Sequence, residues 1–369
     1  MGKKAQFDYY SLKEILKRKA HYNIIFGERS NGKTYAVLLH SLTAYVKTGK
    51  QLAVIRRYRE DFRGKRGQEL FKGIVANGEV GRLTKGEYTG VYHYAGMWYL
   101  SRPDGKGGVV KDNKPFAIGF AISEMEHDKG SSYQDITNIL FDEFITRQIY
   151  LPNEFILFQN VLSTIIRLRD DVTIFMCGNT VNKYCPYFAE MGLKHVSKMR
   201  QGDIDLYTYG EDSPLKVAVE YADSPSTRKP SDIYFAFNNA RLKMIVNGAW
   251  EIGTYPHAPC RWKPTDVIFT YFVRFDGTLL QCEIVNKDDN YFTFVHVKTT
   301  PIKNPDKEVI FSTDDSSNLL HNHKLTARKP DFIPRLFNFY RMDKVFYQDN
   351  EIGEIMRNYL MYCGYGGLE

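Results

Sequence analysis

HYNIIFGERSNGKTYAV, residues 21–37, is the stretch whose reading decides the fold. An apolar strand runs into a loop bracketed by glycines and then into the first turn of a helix. The loop meets the spacing G-x-x-x-x-G-K-[ST] with Gly27, Gly32, Lys33 and Thr34. Glycines at both ends let the backbone bend so that successive N–H groups, those of Glu28, Arg29, Ser30 and Asn31 among them, line one concavity. The helix that follows adds its positive dipole end to the same point. This makes an anion hole of phosphate size, with Lys33 set for the β- and γ-phosphates of ATP and the Thr34 hydroxyl for Mg²⁺.

The surrounding chain, 369 residues, is too long for one ordinary core and suits two domains. Its 43% of hydrophobic and 14% of aromatic residues are ample for folded cores. With 50 Lys and Arg against 43 acids the net charge is +7, which permits a polyanionic partner without demanding one. The five cysteines are scattered without C-x-x-C spacing and read as reduced thiols of a cytosol-like compartment. No apolar run is long enough for a bilayer, so no membrane partner is expected.

Working outward from the loop, residues 11–20 read as a short basic helix, capped by Ser11 with Glu14 in the capping-box position. Residues 34–46 continue as a buried helix ending near Gly49. A strand at 51–55 opens into RRYREDFRGKRG, residues 56–67. Residues 73–114 are rich in glycine and aromatics and read as a β-rich insertion or sheet edge. Further strands at 116–122 and 136–141, separated by crossovers, argue for a mostly parallel α/β sheet.

A second motif lies at 136–144, ITNILFDEF: a β-branched and aromatic strand ending in adjacent carboxylates. Asp142 is placed to hold the Mg²⁺ that bridges the phosphates, and Glu143 to orient and deprotonate the attacking water. An acid followed by Glu marks the branch of P-loop triphosphatases that carries an extra strand between the P-loop strand and the acid-bearing one. VTIFMC, residues 172–177, supplies that strand. Asn179 beyond it is either a γ-phosphate sensor or a turn residue. Residues 152–168 read as a helix running into IIRLRDD, which sets Arg167 and Arg169 near a helix C-terminus. There they complement the dipole or, in a ring, reach a neighbour's nucleotide.

GERSNGKT, VIRRYRED, ILFDEFI, YLPNEF, IIRLRDDV, MCGNT and CPYF, taken in that order, resemble the packaging ATPases of φ29-like phages, relatives of the terminase large subunits. Arg29, third in the loop, fits their Gly-x-Arg pattern. The resemblance implies a homomeric ring, pentameric in the family, that acts in the host cytoplasm, docks on the portal of a procapsid and drives double-stranded DNA inward at the expense of ATP. A packaging RNA is a further partner it suggests. It also implies that Arg167 is the trans-acting arginine finger, with Arg169 its rival, that Lys129 is a trans-acting basic residue, and that Arg56 and Arg57 are nucleotide-site or coupling residues.

The second half matches this family less clearly. A polar stretch from 203 to 230 reads as a connector; strands follow at 266–275, 279–285 and 291–297, then helices at 333–339 and 351–362. Such a meander with helices suits the ribonuclease-H-like domain that closes terminase large subunits. No convincing nuclease acid stands on its first strand and Asp276 reads as a turn residue, so the nuclease is expected to be vestigial. Lys324, Arg328, Lys329, Arg335 and Arg341, interleaved with aromatics, are either a nucleic-acid face or a solvated surface. The expected layout is an ATPase domain over 1–205, a connector over 206–258 and a ribonuclease-H-like domain over 259–369. The function this implies is an ATP-driven DNA translocase. A terminase with an active nuclease and a nucleotide-binding virion component without turnover are the alternatives.

Overall fold

The computed structural model describes residues 9–127, 133–211, 214–223, 250–313 and 321–366. Two compact units divide it. The first holds Met1–Thr146 and Tyr150–Trp250, the second Arg147–Ile149 and Glu251–Glu369. No helix among the described residues is long and apolar enough to cross a membrane.

In the first unit the short helix α1 (Lys13–Leu16) leads into β1 (Tyr22–Gly27), α2 (Lys33–Thr48) and β2 (Gln51–Arg56). Short helices α3 (Gly64–Glu69), α4 (Lys72–Ala76) and α5 (Glu79–Leu83) precede β3 (Gly90–Tyr94), β4 (Met97–Pro103) and β5 (Val109–Lys111). Then come β6 (Ala117–Ala121), β7 (Ile136–Asp142), α6 (Glu154–Ile166), β8 (Thr173–Asn179), α7 (Pro186–Glu190), β9 (Ile204–Tyr209) and β10 (Leu215–Tyr221). The sheet order is β3-β4-β6-β2-β7-β8-β1-β10-β9, with β5 on β4. From β6 to β10 every pairing is parallel; only the flanks are antiparallel. The expected α/β sheet is therefore present, and β8 lies between β1 and β7 as the adjacent carboxylates require. Covered on both faces, the central strands are continuous apolar runs; Ile24, Ile25 and Phe26 are fully buried.

Three expectations change. Ser11 does not close a capping box: α1 starts from Leu12 without a side-chain cap, and Glu14 pairs with Lys17 instead. The start of the stretch 73–114 falls in the helices α4 and α5, so the β-rich insertion is confined to the hairpin strands β3 to β5. Residues 204–221, expected at the domain end and in the connector, form β9 and β10, and the first unit runs to Trp250 rather than 205. The reason is a packing requirement. Without β10, the apolar β1 would present an open edge; β10 closes it and buries Val217, Ala218 and Val219.

The second unit contains the meander β11 (Val267–Phe275), β12 (Thr278–Lys287) and β13 (Asn290–Val297). Its turns are tight: Asp276 and Gly277 sit at φ 47° and 74°, and Asp288 and Asp289 at 51° and 63°. β14 (Ile310–Ser312), β15 (His321–Asn322), α8 (Phe332–Arg341), β16 (Val345–Tyr347) and α9 (Asn350–Tyr362) follow. The sheet order β15-β14-β11-β12-β13-β16 adds parallel strands to both sides of the meander. The Tyr340 hydroxyl of α8 meets that of Tyr271 on β11 at 2.9 Å in the core. Buried Glu354 of α9 accepts from Tyr255 Oη at 2.8 Å and Gly253 N at 3.0 Å, and faces Arg147 Nη2 at 3.2 Å. Among the described residues no group of three or more His, Cys, Asp or Glu is arranged to hold a metal.

Candidate active site

Parallel strands deliver their carboxyl ends to one rim of a sheet, and there the first unit gathers its polar side chains. Gly27 ends β1 at φ 153°, where a Cβ would stand 3.0 Å from the Ala222 carbonyl oxygen. Gly32, at φ 96°, turns the loop into α2. Lys33 is 5% exposed, and its ammonium donates to Glu28 O at 2.6 Å, Asn31 Oδ1 at 3.1 Å and Asn179 Oδ1 at 3.3 Å. These oxygens are formally neutral. Burial pushes the ammonium down to about 8, although the Cys177, Glu28 and Asp142 groups oppose the shift. A buried lysine surrounded by dipoles and facing a cavity is well prepared for an anion.

Asp142, at the end of β7, is buried and held on both oxygens. Thr34 Oγ1 donates to its Oδ1 at 2.7 Å, and Arg56 Nη2 to its Oδ2 at 2.5 Å. The Thr34 hydroxyl and the Asp142 carboxylate are hard oxygen donors already side by side, and they fit a Mg²⁺ ion; Arg56 supplies positive charge on the carboxylate's other side. Glu143 follows at φ 60°, a left-handed conformation costly for a residue with a Cβ, and its side chain is exposed. Ser30, Asn31, Gly32, Lys33, Thr34, Asp142, Glu143 and Asn179 line one cavity of about 230 Å³, together with Tyr35, Cys177 and Gly178. Glu28 joins them through its carbonyl, while Arg29 stands exposed on the loop.

What holds Glu143 in that conformation comes from β2. Arg57, 8% exposed, donates to the Glu143 carbonyl through Nη1 and to that of Phe144 through Nη2, both at 2.5 Å. Its charge is met by Glu154 in the first turn of α6, 3% exposed, with Nε to Oε2 at 3.0 Å. The Tyr187 hydroxyl donates to Glu154 Oε1 at 2.9 Å; burial and the adjacent carboxylate raise the phenol's pKa, so it keeps its proton. No site role was expected of Glu154 and Tyr187 from sequence. The usable signal was Arg57 itself, because an arginine closing an apolar strand needs a buried counter-charge from somewhere.

Arg167 is not at this rim. It caps the C-terminus of the 13-residue α6, so it stands about 20 Å along the helix from Glu154, the residue at the N-terminus that is tied to Arg57. Its side chain is exposed, and Arg169 beside it is bound to carbonyls at the start of β7. Lys129 lies outside the described residues.

The profile of the podovirus DNA encapsidation protein (Gp16) family matches residues 4–75 and 106–207. The DNA packaging protein of Bacillus phage B103 is 27% identical over 175 residues, 46% of this chain and 48% of that protein. That of Bacillus phage phi29 is 26% identical over 184 residues, 49% of each. The chain thus spans about half the length of the curated relatives it matches. Among solved structures, the Phi-28 gp11 DNA packaging motor covers 98% of both chains with a TM-score of 0.53 at 17% identity, a likeness of fold.

Proposed function

We propose, from the premise that the first unit belongs to the podovirus DNA encapsidation protein (Gp16) family, that this chain is an ATP-driven motor subunit. Its substrate is double-stranded viral DNA, moved into a procapsid. The observation that carries the reading is the joined set Lys33, Thr34, Asp142 and Glu143 around one cavity. Lys33 and the loop amides bind the phosphates. Thr34 and Asp142 would hold Mg²⁺, which when bound neutralises charge on the phosphate oxygens. Glu143 is the base that aims and deprotonates water, and its backbone is fixed by Arg57. Asn179, bonded to Lys33, is the γ-phosphate sensor, and Arg56 couples the state of Asp142 to β2.

Arg167 stands at the far end of α6 from Glu154 and the Arg57 that holds Glu143, which supports a ring in which the partner subunit's Arg167 completes each site. Five copies on the portal, with a packaging RNA as a further partner, and Lys129 as a second trans-acting cation, complete the proposal. The second unit is a vestigial ribonuclease-H-like domain that contacts DNA without cutting it. The test is DNA-stimulated phosphate release by the full chain. Glu143→Gln and Arg167→Ala subunits, each inactive alone, recover activity when mixed; no recovery at any ratio refutes the shared site.

A further inference from the structure

Two consecutive residues after α6, Arg167 and Leu168, have φ of 42° and 64°. Neither is glycine, and left-handed backbone of this kind is strained for a residue that carries a Cβ. Leu168 is fully exposed, at 107% of its reference area, so no burial of its own offsets the strain. The Arg167 side chain makes no hydrogen bond or ion pair among the described residues, and nothing it does locally explains the turn. The next residue does. Arg169 Nε donates to Ile166 O at 3.2 Å, beside the backbone N–H of the same residue at 3.2 Å, and Nη2 donates to Ile165 O at 3.3 Å, so the last carbonyls of α6 are met by this one residue. The same guanidinium reaches Ile136 O at 2.7 Å, Gln134 O at 3.1 Å and Tyr133 O at 3.4 Å before β7 and at its first residue, and Asp171 at 3.2 Å.

We propose that Arg169 is the positioning residue for Arg167: by fastening the end of α6 to the start of β7 it holds the strained turn closed and presents Arg167 outward to a neighbouring copy. This rests on the shared-site reading above. It turns the two candidate fingers into a pair with different jobs. The Arg169 guanidinium is committed to its own chain's carbonyls, whereas that of Arg167 is free to project. A lysine at 169 is one point charge and cannot span helix end and strand start together.

The consequence is directional. In a mixture of Glu143→Gln and Arg167→Ala subunits, the working sites use Glu143 of the second and Arg167 of the first. Arg169→Lys placed in the Glu143→Gln subunit should lower the recovered phosphate release about tenfold or more, the scale expected for a misplaced catalytic group. The same substitution in the Arg167→Ala subunit should leave it unchanged. Leu168→Gly, which adopts a φ of 64° without strain, should recover part of that loss when combined with Arg169→Lys in the Glu143→Gln subunit, and the double variant serves where Arg169→Lys alone does not fold. Equal losses in both arms, or no loss in either, overturn the positioning role while the parental mixture still recovers. Failure of the parental mixture refutes the shared site itself.

Discussion

The two units each carry a buried glutamate facing an arginine, and they use the arrangement differently. In the first, Glu154 balances Arg57, whose remaining donors hold the carbonyls of Glu143 and Phe144. In the second, Glu354 balances Arg147 and takes donors from Gly253 and Tyr255, joining segments of its own unit. Sheet direction accounts for the contrast. β1, β7 and β8 run parallel, so Gly27, Asp142 and Asn179 end together on one rim, and a buried pair behind that rim fixes the backbone of Glu143. The strands of the meander β11 to β13 alternate in direction, and no rim collects their ends. A buried ion pair is thus not itself a mark of function; what it holds in place decides.

The largest effect that tests this contrast is at Glu143. Glu143→Gln should lower phosphate release by on the order of 10²–10⁴, the usual worth of a positioned general base. Nucleotide binding, followed with a fluorescent ATP analogue, should persist, because Lys33 and the loop are untouched. Wild-type turnover would remove the first unit's claim to the chemistry.

Much of that rim was readable in the sequence. Gly27, Gly32, Lys33 and Thr34 have fixed spacing because the loop closes on itself, and Asp142 ends an apolar strand whose pattern is local. β8 was legible for the same reason, as a short apolar run bounded by polar residues. What escaped were features set by distant chain. LKVAVEY of β10 is a short run amid polar neighbours, and only the open edge of β1 explains its place in the sheet. Glu154 is separated from Arg57 by 97 positions, and no periodicity links them. Arg167 and Arg169 are chemically alike and two residues apart; only the carbonyls around Arg169 tell them apart.

The paired glutamates offer the next test. Glu154→Ala strands the buried Arg57 and should cost about 3–5 kcal/mol, read as a loss of unfolding free energy in urea, whereas Glu354→Ala should cost less, because Arg147 is partly exposed and keeps Glu251. They should differ in activity. Below the unfolding midpoint, Glu154→Ala should also depress kcat, since Arg57 loses the partner that keeps it on the Glu143 carbonyl. Glu354→Ala should leave kcat per folded molecule intact. Equal effects on kcat would erase the distinction between the two hubs.

Lys33 gives a pH signature to the first unit. In the free protein burial places its ammonium near 8, and a bound phosphate raises that value, so binding takes up a proton above it. ATP affinity should be constant below pH 8 and fall as pH rises through 8, by up to about tenfold per unit until the raised value of the complex is reached. Isothermal titration in buffers of different ionisation enthalpy would detect the proton uptake at pH 8.5. Affinity independent of pH from 7 to 9.5 would mean that the cavity keeps Lys33 charged by other means.

The smallest effect lies in the second unit, where His296 Nε2 and Glu283 Oε1 stand 3.5 Å apart between β13 and β12. The hydrogen bond to Glu283 raises the imidazole above its ordinary 6.5, and the same bond lowers the Glu283 carboxyl below 4.5. A raised histidine stabilises fully below 6.5, and the gain is lost as pH climbs through its folded value. A lowered carboxylate stabilises fully above 4.5, and that gain is lost as pH falls through its folded value. Both contributions are complete only between these limits. His296→Gln should therefore cost most near pH 5.5, about 0.5–1 kcal/mol for a partly exposed pair, and almost nothing at pH 9. The proposed ATPase activity should follow neither change, because His296 supports only the sheet in which it sits. A parallel shift in kcat would show that the second sheet feeds the catalytic rim, and the contrast between the two units would then have to be redrawn as a coupling.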